Sequence, residues 1–466
     1  MAERANIKVL ATYAIIALIA LMGAIRFWGL DASPPGFFMD EAYIGAHVLC
    51  LAHTGHDADG RPWPLFSPSG GGGYASPTHL YPAAAWVRCF GGSIVALRAY
   101  AAFTMTLAIV GLFFLARRLM GMRGAIYTTL AASLSPFLFQ FSRMAFDDPA
   151  AFLLGLTWGA YFFLRSAAWR DAIISAAFLS LAAYAYPSGR IVLPFAFALL
   201  LWMKHGQREL RWAKVVAFLG TGFALCLPLA IQTLRGGLMA RYEEVGLFTA
   251  QYRHAQGLEG PRVWLVFLTN YLKHFSPNYL FIHGDSNLRH NSQFSGELSW
   301  LDTAAIVLGL VFLATRWRKG GAKADRVIVF ALVGFVAGIL PAAITWDGLP
   351  HSLRSAACWP FVALLTGRIL SRLEEEWNWS SPVFAGIAAV FAVGFLYHYF
   401  RFYPIDAYPY FQSQVRDAAE DAQASGDWSK FRDAARAEAY DPHACRYFLM
   451  QYAGLDCRQA AEFKLK

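Results

Sequence analysis

The chain has 466 residues, of which 57% are hydrophobic and only 15% charged, against the ~25% charged residues usual in soluble domains. Its net charge of +9 accompanies no RNA- or DNA-binding motif, so the composition excludes a soluble globular enzyme and a nucleic-acid-binding protein. Aromatic residues make up 16%, with 21 Tyr and 15 Trp, types that favour membrane–water interfaces.

About eleven apolar segments approach the ~20 residues that carry a helix across a bilayer. The first, Val9–Trp28, is long and lacks a small-residue cleavage site before Asp31, so it reads as a retained span and not a signal peptide. Ile94–Ala116, Met122–Phe141, Pro149–Leu164, Ala172–Tyr186, Ile191–Met203 and Val215–Ile231 follow. Leu301–Ala314, Val327–Thr345, Ala356–Leu370 and Val383–Phe400 complete the set. The expected fold is all-α and polytopic, with a transmembrane domain over 1–400 and a small appendage over 401–466.

Loop charge sets the orientation. Arg117, Arg118 and Arg123 share one side with Arg165–Arg170, Lys204–Lys214 and Arg316–Arg326. Basic loops stay cytoplasmic, which puts the N-terminus inside. The loop Arg368–Trp379 is mixed, because Glu374, Glu375 and Glu376 oppose its arginines. The other face then collects a first external loop, 31–93, and a long one, 232–300. It also collects Arg143–Pro149, Tyr184–Arg190, Trp346–Arg354 and the tail. The chemically suggestive residues converge there.

Within the first loop, Glu41–Ala52 and Leu80–Phe90 have helical apolar spacing but are too short to span. They read as helices lying in the interface. Gly70–Gly73 marks a mobile loop; a phosphate cradle would need a strand and a Gly-Lys-Ser/Thr context that is missing. In the tail, Cys445 and Cys457 form a candidate disulfide for an oxidising compartment, while Cys50, Cys89, Cys226 and Cys358 read as small buried hydrophobes.

Asp40 and Glu41 follow Phe37-Phe38-Met39. A carboxylate against apolar surface has a raised pKa and suits proton abstraction from a hydroxyl. Asp40 can equally cap the helix that follows it. Asp147-Asp148-Pro149 carries the same two readings, with Arg143 near enough to pair. The two acidic clusters together also suit a divalent metal held by oxygen. Cations gather on the same face: Lys273, Arg289 and His290, Arg354 after His351, and Arg190. Arginines at external span ends are not explained by orientation; a lipid phosphate explains them. Arg98, early in a span, requires a partner or a function.

The stretch Phe38-Met39-Asp40-Glu41-Ala42-Tyr43, then Arg143–Pro149, then Phe275–Phe281 with Gly284–His290 and Gly296, then Leu349–Arg354, resembles GT-C type membrane glycosyltransferases. That group includes protein O-mannosyltransferases and the lipid A aminoarabinose transferase, and the likeness is to bacterial family-39-like members. The resemblance implies the GT-C fold in a bacterial inner membrane with a periplasmic site. It implies inverting transfer of a sugar from a polyprenyl-phosphate donor to a lipid, glycan or protein acceptor. Asp40 would be the base, supported by Glu41, with Asp147 or Asp148 as the second acidic position. Arg289, His290 and Arg354 would neutralise the leaving phosphate, with Lys273 and Arg190 behind them. The competing reading is a transporter or flippase of a lipid-linked sugar, which would show midplane polar groups and an internal repeat; a non-catalytic envelope scaffold is the third.

Overall fold

The structure, a computed structural model, describes residues 2–69, 73–146, 149–165, 168–206, 211–236, 238–258, 260–318, 325–377 and 380–463. The chain is built almost wholly of helices. The first part runs α1 (Ala2–Ile25), α2 (Met39–Thr54), α3 (Pro77–Phe90), α4 (Ile94–Leu134), α5 (Pro136–Phe141), α6 (Pro149–Arg165), α7 (Trp169–Ala185), α8 (Pro187–Gly206) and α9 (Trp212–Leu234). Next come α10 (Ala240–Val245), α11 (Ala250–Ala255), α12 (Arg262–Lys273), α13 (Trp300–Arg318), α14 (Arg326–Ala343), α15 (Cys358–Glu376) and α16 (Ser380–Arg401). The tail adds α17 (Tyr403–Asp406), α18 (Ser413–Ser425), α19 (Ser429–Ala437), α20 (Pro442–Tyr452) and α21 (Cys457–Ala461).

Each expected apolar segment falls on a helix. Gly121, at φ 78°, breaks α4 into two segments, as the separate spans 94–116 and 122–141 anticipate. Five described helices are long and apolar enough to cross a membrane, and the chain is an integral membrane protein. The bundle is closed by close helix approach. A Cβ on Gly367 of α15 would lie 2.1 Å from Thr128 Oγ1 of α4, so glycine is what lets these two backbones meet.

The first loop and the tail depart from expectation. Every residue from Glu41 to Ala52 in α2 is buried, so this helix does not lie open in an interface. It is covered by the tail: Phe37, Ala42, Val48, Tyr440, Tyr447 and Phe448 belong to one apolar cluster. An amphipathic helix has the same spacing whether lipid or protein covers it, so the sequence pattern could not choose. The tail's disulfide is Cys50–Cys457, and Cys445 is free and buried. The expected Cys445–Cys457 bridge is therefore replaced by one that staples the tail to α2. The stretch expected to be a mobile loop carries a short antiparallel pair, β1 (Ser67–Pro68) with β2 (Tyr74–Ala75); Gly70, Gly71 and Gly72 lie outside the described residues.

Candidate active site

Two buried arginines fold the segment that carries Asp40. Arg143 is fully buried and donates to the carbonyls of Ile25, Arg26, Trp28, Gly29 and Ser33 at 2.6–3.1 Å. It collars the end of α1 with backbone oxygens. Arg98 is the second. Its Nε and Nη2 donate to Glu41 at 2.9 and 2.8 Å, and its remaining N–H groups go to the carbonyls of Leu30, Pro34 and Gly36. All five guanidinium donors are thus used. The charge expected to need a partner has one, and the partner is Glu41.

Glu41 is correspondingly occupied. Besides Arg98 it accepts from the amide of Ala145 at 2.7 Å and that of Phe38 at 3.3 Å. It does not stand open beside Asp40; it ties the 143–146 segment to the start of α2. It also takes the capping task considered for Asp40, by reaching back to the Phe38 amide. Asp40 is one residue inside the helix, half-buried, and no described residue donates a hydrogen bond to its carboxylate. Burial pushes its pKa up, with the positive charge of Arg289 opposing that rise most strongly.

Arg289 is delivered by the 274–299 loop. Its guanidinium carbon sits 3.9 Å from the ring centroid of Phe38, two residues before Asp40, a cation–π contact that aims the charge. Its Nε donates to Asn287 at 3.3 Å. Burial lowers its pKa, and Asp40 is the first charge opposing that. Asp40 and Arg289 therefore face each other electrostatically without an ion pair. Arg241, from α10, also bears on Asp40; it is a cation that sequence reasoning missed, in a segment without a motif.

Behind Arg289 lies a polar network. His290 Nδ1 meets Asp285 at 2.8 Å, and the Ser352 amide donates to the same carboxylate oxygen at 2.9 Å. Burial pushes the Asp285 pKa up, but His290 and these donors outweigh it, so it lies below the usual range. Glu297 Oε1 accepts from the Asp285 amide, Asn291 and the Ser352 hydroxyl. Burial raises the Glu297 pKa to about 8, and its Oε2 has no partner among the described residues. His274 Nδ1 donates to the Asn270 carbonyl while its Nε2 accepts from the His351 amide. That pair of bonds fixes a neutral imidazole, in keeping with a pKa that burial lowers to about 4. The His290 and His351 rings lie 4.6 Å apart.

The remaining candidates scatter. Arg354 donates to Asp347 at 2.6 Å and to Thr345, so its charge is met by an acid that sequence reasoning did not single out. Lys273 is exposed at the end of α12. Arg190 lines an apolar groove of about 580 Å³ between α7, α8 and α9, with Leu179, Leu193, Phe197, Phe218 and Leu229. Asp147 and Asp148 lie outside the described residues, as does any oxygen-only metal site that includes them. Among the described residues, one set has metal-site spacing: Asp285, His290 and His351, with ligand atoms within 4.8 Å of one another. Both Asp285 oxygens already accept N–H donors, so this carboxylate is better suited to orient His290 than to bind a cation.

The helical architecture is that of the GT-C fold, as its likeness to solved membrane glycosyltransferases shows. Residues 75–231 match a family described as dolichyl-phosphate-mannose-protein mannosyltransferase. The apo oligosaccharyltransferase of Archaeoglobus fulgidus is similar over 94% of this chain and 60% of its own, at 15% identity and a TM-score of 0.50. ArnT from Cupriavidus metallidurans in the apo state is similar over 97% of this chain and 77% of its own, at 15% identity and a TM-score of 0.50. The chain thus spans about three-fifths of the length of the archaeal protein. No curated protein sequence matches it.

Proposed function

We propose that the chain transfers a sugar from a polyprenyl-phosphate donor to a hydroxyl acceptor at the external face of the membrane, with inversion and with Asp40 as base. The observation that carries this is the open Asp40 carboxylate facing Arg289 without pairing to it. Asp40 takes the proton of the acceptor hydroxyl. The freed oxygen attacks the anomeric carbon from the side opposite the phosphate. The C–O bond to phosphate breaks, its electron pair stays on the phosphate oxygen, and polyprenyl phosphate leaves. Negative charge grows on that oxygen, and Arg289, held on Phe38, is a fixed cation for it. A single displacement inverts the anomeric centre.

Glu41 serves as the positioning residue of this reading, through Arg98 and Ala145. Asp147 and Asp148, two and three residues beyond Ala145, are the second acidic position. His290 adds to the anion site beside Arg289. The groove beside Arg190 suits an isoprenoid chain: it is apolar and open along its side, and Phe66 and Tyr74 pack at its rim with Leu193 and Leu229.

The test is transfer from a defined polyprenyl-phosphate sugar in proteoliposomes to a hydroxyl acceptor, with the anomeric configuration of the product determined. Asp40→Asn should abolish transfer while the protein inserts and keeps its disulfide. Full activity in that variant would remove Asp40 from the chemistry. Movement of the donor lipid between leaflets with no new glycosidic bond would favour the flippase reading.

A further inference from the structure

The tail shares a hydrophobic cluster with the segment that precedes Asp40, and its bonds to that segment are specific. Gln412 is buried. Its Oε1 accepts from the Met39 amide at 3.2 Å, and its Nε2 donates to the Glu438 carbonyl at 3.0 Å. The Met39 amide belongs to the first turn of α2, where helix donors have no intrahelical acceptor. Tyr440 donates to the Phe37 carbonyl at 2.8 Å. Gly36, at φ 60°, has no room for a Cβ: one would stand 2.5 Å from Ser413 Oγ and 2.8 Å from the Phe411 carbonyl. The turn at 409–413 is thus pressed onto the turn at 36–39. The Cys50–Cys457 bridge fixes the far end of the same contact.

We infer that the tail completes the active site, and that Gln412 is a positioning residue that sets the direction of Asp40 through the Met39 amide. This rests on Asp40 being the base. The Asp40 carboxylate accepts no hydrogen bond among the described residues, so its direction comes from the backbone turn that carries it. That turn is held by Glu41 on one side, through the Phe38 amide, and by Gln412 on the other, through the Met39 amide. Removing one holder leaves the helix in place but loosens the residue at its start. A misplacement of about 1 Å can cost ~100-fold in rate.

Three variants test this in the full-length, disulfide-bonded protein in proteoliposomes. Gln412 adopts φ 50°, a left-handed conformation that Asn also tolerates. Gln412→Asn therefore keeps the backbone preference but is one methylene too short to reach Met39. It should lower kcat by roughly 10- to 100-fold with little change in the KM for the donor. Gln412→Glu keeps an oxygen for the Met39 amide but sets its other oxygen against the Glu438 carbonyl, so on the alkaline side its kcat should fall between those of the unaltered protein and Gln412→Asn. Its new charge would join Glu41 and Asp441 against Arg289 and Arg241, the charged groups that bear on Asp40, and move the acidic limb to higher pH. Tyr440→Phe should lower kcat in the same way as Gln412→Asn, and it guards against a folding defect peculiar to position 412. The inference is overturned if Gln412→Asn and Tyr440→Phe keep kcat within about twofold while Asp40→Asn is inactive. It is overturned with its premise if Asp40→Asn is active. Equal losses of kcat in Gln412→Glu and Gln412→Asn also count against it, because only the Met39 contact separates the two.

Discussion

Replacing Glu41 by Gln separates an anchoring role from a chemical one. Glu41 and Arg98 are both fully buried, and each carboxylate oxygen accepts one guanidinium N–H and one amide N–H. An amide side chain has one acceptor oxygen, so its NH2 must confront a donor. Arg98 keeps its three carbonyls but loses its counter-charge. Breaking a buried pair in this way costs about 3–5 kcal/mol, a large share of the ~5–15 kcal/mol that holds a typical domain together. The Arg98→Met change alone should cost a similar amount, since it strands a buried carboxylate. In the double variant no unpaired charge remains, so its cost should fall short of the sum of the two by about 1–3 kcal/mol. Urea unfolding in detergent, followed by tryptophan fluorescence with the disulfide intact, measures all four corners of the cycle. A Glu41→Gln protein that lost less than about 1 kcal/mol yet no longer transferred sugar would refute the anchoring role and return Glu41 to the chemistry.

Other outcomes follow from the same geometry. Glu297 binds its proton more tightly in the fold, with its pKa raised by burial from 4.5 to about 8. The associated stability is fully present below pH 4.5 and is lost as pH rises toward about 8, so Glu297→Gln should flatten the fall in urea midpoint across that window, and parallel curves would count against it. Peptide mapping without reductant should join the peptides containing Cys50 and Cys457 and leave Cys445 alkylatable after unfolding. Trp264 and Leu265 of α12 are 60% and 66% exposed, on a helix of 12 residues, too short for the ~30 Å hydrocarbon core. Trp264 fluorescence should therefore be quenched by lipids brominated near the headgroup more than by lipids brominated near the chain end.

The helical, membrane-embedded character of the chain was legible because a helix in lipid needs a long uninterrupted apolar run, a local property of sequence. So was the need for a partner at Arg98, because a bare charge in a span is costly. Which partner it has was not legible: Glu41 is 57 residues away, and no local rule chooses it over Asp31 or Asp40. Arg289 beside Asp40 emerged only from the family pattern; composition gave a surplus of cations on one face without ranking them. Arg354 looked equivalent to Arg289, yet Asp347 neutralises it. The tail was the least legible part. Its polar, Ala-rich helices read as a small appendage, because the surface they cover lies far earlier in the chain, 355 residues back at Gly92 and 407 at Cys50. Cys50 read as a buried hydrophobe for the same reason.

Glu41 is met by Arg98, Asp285 by His290, Arg354 by Asp347 and Arg241 by Glu244. Asp40 and Arg289 are left facing each other, and Arg289 is the strongest influence holding the Asp40 pKa down against burial. A donor phosphate seated on Arg289 would cancel that influence and add negative charge of its own, and both changes push the Asp40 pKa upward. If Asp40 is the base proposed above, it would become a stronger base once the donor is bound. Because kcat/KM reports the free enzyme and kcat the bound one, the acidic limb of kcat should lie at higher pH than that of kcat/KM for the donor. In Arg289→Gln the separation between the two limbs should shrink, since the free enzyme already lacks the opposing charge. Coincident limbs in the unaltered protein, or a kcat limb at lower pH, would mean that the donor phosphate does not sit between Arg289 and Asp40.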